Sequence, residues 1–164
     1  MKTLVSNTGP IIALAKIQKI NLLNELEFQR ILIPPRVQKE LLGKIGKESD
    51  FIDWALDSFV QVEKPDKTNE SIKKITRNLD DGEREVILLG ASINEEVLLL
   101  LDDKAGRTKA RQLDLPVVGT AGLLLLFKQR NLIEKVVPLM TALRKQGYWL
   151  SDTLVNQVQK LAGE

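Results

Sequence analysis

The chain contains no cysteine and no histidine. The first absence excludes disulfides, thiol nucleophiles and thiolate zinc sites; the second excludes imidazole bases and Ser-His-Asp triads. Aromatic residues make up 4% of the sequence, which argues against a base-stacking platform of the kind single-strand binders use. No apolar stretch approaches the roughly 18 residues a membrane span needs. The N-terminal MKTLVSN turns polar too soon for a secretory signal peptide, so a cytoplasmic location is expected. The net charge of +2 is too small to point to nucleic acid by itself. What remains for chemistry is carboxylate, amide, hydroxyl, lysine and arginine. A metal held by such groups would be a hard cation, Mg2+ or Mn2+.

The 164 residues suit one domain with a sizeable core, expected to span 1–164. Short apolar runs alternate with helical patterns, the signature of an α/β fold around a mainly parallel sheet. The most apolar run, VLLLL at 97–101, reads as a strand buried on both faces. Strands are also expected over 2–6, 28–33, 59–62 and 116–118. Helices are expected over 11–16, 20–26, 37–43, 48–57, 71–78, 80–93, 105–113, 119–128, 133–145 and 151–161. The helices from about 133 to 161 are expected to pack on the domain rather than form a second one.

Polar oxygens fall at suggestive places in this order. Asn7 follows the first strand, Asp102 and Asp103 follow the VLLLL strand, and Glu40 and Glu83 lie on or near helix starts. In open α/β sheets, ligands bind beyond the carboxyl ends of the strands. Carboxylates gathered there repel one another unless a cation sits among them. Each also has a plainer reading. Asp80-x-x-Glu83 is a capping box, Glu40 a boundary residue paired with Lys39 or Lys44, Asn7 an N-cap, and Asp102 a cap of the helix that follows. Gly119-Thr120-x-Gly122 opens a helix after a strand: either a phosphate cradle at Thr120, or an N-cap with glycines for close packing. Lys104, Arg107, Lys109 and Arg111 form either a solvated face or an attraction for a phosphate backbone. Arg107 is the one placed to grip a phosphate with two bonds.

Taken together, VSNTGPIIALAKI, ILIPPRVQKELL, DDGEREVILLGA, LLLLDDKAGRTKARQLDLPVVGTAGLLL and KQGYWLSDTLVNQV resemble the PIN domains. The likeness is to a prokaryotic PIN-like group, catalogued as a domain of unknown function and related to VapC-type toxins. These stretches cover nearly the whole chain. The resemblance implies a three-layer α/β/α fold and an acidic site at the sheet edge that cleaves RNA with Mg2+ or Mn2+. It further implies a role as the toxin of a toxin–antitoxin module blocked by an antitoxin protein, and a homodimer as a possible assembly. Carried over by position, the four acidic places fall on residue 7, Glu40, Glu83 and Asp103, with Asp102 beside the last. Glu40, Glu83 and Asp103 become the catalytic residues, and Asn7 and Asp102 join them as metal ligands. Thr8 becomes the hydroxyl beside the first position, and with Arg107 and Thr120, singled out above from the residues themselves, it makes up the expected substrate contacts.

The chain departs from the pattern at residue 7, where PIN domains carry Asp and this one Asn. An amide oxygen still coordinates a hard cation but brings no charge and no basicity. Two readings follow: a metal-dependent ribonuclease with a weakened site, or a catalytically weak or inactive PIN-like module that binds a protein or nucleic acid. A small-molecule phosphohydrolase centred on the GTAG helix start is the third.

Overall fold

In a computed structural model describing residues 2–164, five parallel strands form one sheet in the order β3-β2-β1-β4-β5. They are β1 (Thr3–Ser6), β2 (Arg30–Ile33), β3 (Val60–Val62), β4 (Val97–Leu100) and β5 (Val117–Val118). The two central strands are the ones whose sequence tolerates burial on both faces. All four residues of β1 are buried, and Leu99 and Leu100 of β4 have no exposed surface. Their register pairs Thr3 with Val97 and Ser6 with Leu100. Since β1 pairs with β2 on one side and β4 on the other, the chain reverses its direction of travel across the sheet between β1 and β4. That switch point is where an open α/β sheet leaves a crevice.

The helices are α1 (Thr8–Lys16), α2 (Pro35–Leu42), α3 (Ser49–Ser58), α4 (Glu70–Ile75), α5 (Asp81–Ser92), α6 (Lys104–Gln112), α7 (Thr120–Gln129), α8 (Val137–Lys145) and α9 (Asp152–Ala162). They flank the sheet to give the three-layer α/β/α arrangement. Two close approaches need glycine. A Cβ on Gly90 of α5 would lie 2.5 Å from Leu99 Cδ2, and one on Gly122 of α7 would lie 2.6 Å from Val118 Cγ2. The second glycine of the GTAG stretch therefore lets α7 lie against β5.

Three local expectations differ from what is seen. Residues 20–26 form a 3-10 helix. The helix expected from residue 133 begins at Val137. Pro138 explains the delay: in a longer helix its ring would clash with the Glu134 carbonyl, whereas the first turn accepts it. The free backbone N–H groups of Val136 and Val137 donate instead to the Glu164 carboxylate, at 2.8 and 3.1 Å. Gly119, not Thr120, is the N-cap of α7. Helix α9 packs on α7 and α8, and Leu143, Leu150 and Val158 contribute to the main core. Among the described residues, no helix is long and apolar enough to cross a membrane.

Candidate active site at the carboxyl edge of the sheet

The ends of β1 and β4 are tied together by the Asn7 N–H, which donates to the Leu100 carbonyl at 3.0 Å. This sets Asn7 beside the start of the Leu101-Asp102-Asp103 segment. Asn7 occupies the N-cap position of α1, yet its side chain caps nothing. Its Oδ1 is buried and accepts no hydrogen bond within the chain. A buried acceptor without a donor is costly, so it marks a place where something outside the chain can contribute.

What surrounds that oxygen is acidic. A Cβ on Gly82 would lie 3.1 Å from Asn7 Oδ1, 3.3 Å from Glu40 Oε1 and 3.5 Å from Asp80 Oδ1. Three oxygens from three parts of the chain thus line a hollow that glycine leaves open. Thr8 Oγ1 donates to Glu40 Oε2 at 2.5 Å, which fixes one Glu40 oxygen and leaves Oε1 toward the hollow. Arg36 lies at its rim, 3.4 Å from Glu40 Oε1 and 3.8 Å from Asp81 Oδ2.

Glu83 is 8% exposed on the first turn of α5. Burial first, then the nearby charges of Asp80 and Asp103, pushes its pKa up from 4.5 to about 7. Asp80 is the N-cap of α5, and its Oδ1 accepts from the Glu83 N–H at 2.8 Å. The capping-box expectation is met on that half, and the same two residues also sit in the acidic crevice. Asp103 is the N-cap of α6, accepting through Oδ2 from the Gly106 N–H at 2.9 Å. The capping role expected of Asp102 thus belongs to Asp103.

Asp102 turns the other way. Its Oδ1 accepts from the Thr120 N–H at 2.7 Å, and its Oδ2 accepts from the Thr120 hydroxyl at 2.6 Å and from the Tyr148 hydroxyl. Burial raises the Asp102 pKa, while the Thr120 bonds and the Arg107 charge oppose the shift. Arg107 Nη1 donates to the Asp102 carbonyl. Thr120 has no exposed surface, and its hydroxyl is used by Asp102. In this placement Thr120 holds α7 to the end of β4.

The expected residues therefore fall into two groups: Asn7, Thr8, Glu40, Glu83 and Asp103 on one flank, and Asp102, Arg107 and Thr120 on the other. Asp80, Gly82 and Tyr148 join them unannounced. The DDGE stretch carried a signal, because glycine in a first helical turn costs up to about 1 kcal/mol relative to alanine and asks for a reason. Tyr148 carried none, since 46 residues separate it from Asp102. Among the described residues, no three acidic side chains stand close enough to form a ready metal-holding set. The donor chemistry nonetheless fits a hard divalent cation: every group is an oxygen, Asn7 Oδ1 is unpartnered, and Glu40 presents an oxygen to the same hollow.

A parallel sheet flanked by helices, with oxygen donors gathered at its switch point, defines an open α/β protein whose candidate site lies beyond the carboxyl ends of the strands. The model of the family DUF3368, a PIN domain, matches residues 3–164, and the chain belongs to that PIN-domain family. PIN domains are generally divalent-metal-dependent nucleases. No curated protein matches the chain.

Proposed function

We propose that this PIN domain hydrolyses phosphodiester bonds in RNA with Mg2+ or Mn2+. The observation that carries the reading is the hollow over Gly82, where the buried, unpartnered Asn7 Oδ1 meets Glu40 and Asp80 beside a Glu83 whose pKa is about 7. Asn7, Glu40 and Asp103 offer the oxygens to hold the cation, with Glu83 beside them. When bound, the cation supplies charge stabilisation at the phosphoryl group. Thr8 holds Glu40 in place. Without a cation the Glu83 carboxyl holds its proton up to a pH of about 7, and a bound cation favours its carboxylate form. Arg107, held at the Asp102 carbonyl, brings positive charge to the opposite flank. The resemblance to VapC-type toxins extends the reading to the toxin of a toxin–antitoxin module, with the antitoxin covering this crevice.

The test is cleavage of RNA in manganese by the native chain, Glu40→Gln and Asp103→Asn. Asparagine keeps the acceptor that caps α6 while removing the charge. Both variants are expected to lose at least about 100-fold in rate while remaining folded. Cleavage equal to the native chain would remove the proposal. A second reading, a PIN-like module that binds a protein or nucleic acid without cutting, is favoured by the amide at Asn7. Metal binding that appears in Asn7→Asp and is absent from the native chain would select it.

A further inference from the structure

Trp149, one of two tryptophans in the chain, lies in the loop between α8 and α9 and is 83% exposed. A single exposed apolar residue is ordinary in itself. Its mounting and its place are not.

The residues on either side of the indole are fixed. Gly147 takes a φ of +84°, which turns the chain after α8, and the Tyr148 N–H donates to the Leu143 carbonyl at 3.0 Å. Leu150 is buried in the main core. Its carbonyl accepts from Arg144 Nε at 2.9 Å and Nη2 at 2.5 Å, and Arg144 also pairs with Asp152 at 2.9 Å. An aromatic side chain on a rigid mount loses little conformational freedom when a partner stacks on it.

The loop that carries it reaches the end of β4 through its neighbour. The hydroxyl of Tyr148, the residue before Trp149, donates to Asp102, and Asp102 precedes Asp103. Close by, the chain is polar rather than apolar, with Lys16, Arg144 and Lys145 against one acid, Asp152, which pairs with Arg144. Lys145 and Gln146 are exposed, Lys16 Nζ donates to the Gln146 carbonyl at 3.3 Å, and Gln146 Nε2 donates to the Lys16 carbonyl at 3.0 Å. Of the large apolar residues exposed among the described residues, none other lies in this loop. A protein-binding hot spot is normally surrounded by contacts that exclude water. Stacking of a nucleobase needs one π-face and neighbouring cations for the phosphates.

We infer that Trp149 stacks on an unpaired base of single-stranded RNA and so positions the strand whose phosphodiester enters the acidic crevice. The inference rests on the RNA-cleaving reading above. The low aromatic content excludes a row of stacked bases, not a single one. Trp149 is a positioning residue and acts on KM rather than kcat. Duplex RNA, whose bases are already stacked, does not offer it a face.

The experiment uses the full chain carrying Trp54→Phe, which leaves Trp149 as the sole tryptophan. Its fluorescence and the anisotropy of a labelled RNA of about ten nucleotides are followed together, in EDTA and again in manganese. Single-stranded RNA is expected to quench Trp149 at the concentrations where anisotropy rises, and a blunt duplex is not. Trp149→Ala is expected to weaken single-strand binding and raise KM by about 5- to 100-fold, with kcat within about twofold, and Trp149→Phe to recover most of the loss. RNA binding with unchanged Trp149 emission, or equal affinity in Trp149→Ala, overturns the inference and leaves the RNA-cleaving reading standing. A concentration-dependent blue shift without RNA would assign the indole to a contact between copies of the chain and overturn it equally. Absence of any RNA binding or cleavage removes the functional reading and this inference together.

Discussion

The two flanks of the crevice hold the same kind of residue and use it in opposite ways. On the α6–α7 flank, Asp102 has both oxygens bonded, to the Thr120 N–H and hydroxyl and to the Tyr148 hydroxyl, and Arg107 grips its carbonyl. On the α2–α5 flank, Asn7 Oδ1 has no partner, Glu40 turns to the hollow an oxygen met only by the rim residue Arg36 at 3.4 Å, and Glu83 is buried among like charges. A satisfied acid stabilises the fold. An acid short of partners raises the energy of the empty site, and a ligand or proton relieves it. Position after a strand therefore does not tell a structural aspartate from a functional one; the donors brought to it do.

The sharpest way to break this comparison is to remove the satisfied acid. Asp102→Ala leaves the Thr120 and Tyr148 hydroxyls without their acceptor and should cost about 3 kcal/mol, a fall in Tm of roughly 6–12 °C by thermal melting. Loss of RNA cleavage with an unchanged Tm would mean that Asp102 belongs with the chemistry. The next effect is pH-dependent. The folded state holds a proton on Glu83 that the unfolded chain releases, its pKa being about 7 against an ordinary 4.5. Metal-free stability from this residue is full below about pH 4.5 and declines as pH rises through about 7, by up to about 3 kcal/mol. Urea denaturation across that range should show the decline in the native chain and its absence in Glu83→Gln.

A smaller effect is expected at residue 7. One charge at about 4 Å is worth roughly 4 kcal/mol at an effective dielectric of about 20 before desolvation and screening. Asn7→Asp should therefore tighten Mn2+ binding at least about tenfold by calorimetry, while lowering metal-free stability through repulsion from Glu40 and Asp80. Unchanged binding would show that the amide is not at the cation's place. The smallest effect is expected at Gly82, where a Cβ would sit 3.1 Å from Asn7 Oδ1. Gly82→Ala should weaken Mn2+ binding several-fold, with a change in stability of less than about 1 kcal/mol, because alanine is the better helix former.

Much of the fold was legible beforehand. The VLLLL run marked a strand buried on both faces, and β4 lies at the centre of the sheet beside β1. Asp80 and Glu83 announced the start of α5, because capping acts within three residues. The late start of α8 was missed, the helix having been expected from residue 133, although Pro138 carried the signal. What misled was the pair at 102 and 103. A chain-local view assigned the helix cap to Asp102, yet the cap is Asp103, and Asp102 is claimed by groups 18 and 46 residues away.

The sequence by itself determined the element order, the parallel sheet and the restriction to oxygen chemistry. Those follow from hydrophobic period, turn residues and the absence of cysteine and histidine, all of which are local or compositional. Only the tertiary structure decided which oxygens are spent. It took the docking of α7 and of the loop before α9 to satisfy Asp102. The packing of α5 against β1 left Asn7 Oδ1 and the Glu40 carboxylate around Gly82. Hydrogen-bond satisfaction depends on groups far apart in the chain, and no local pattern records it.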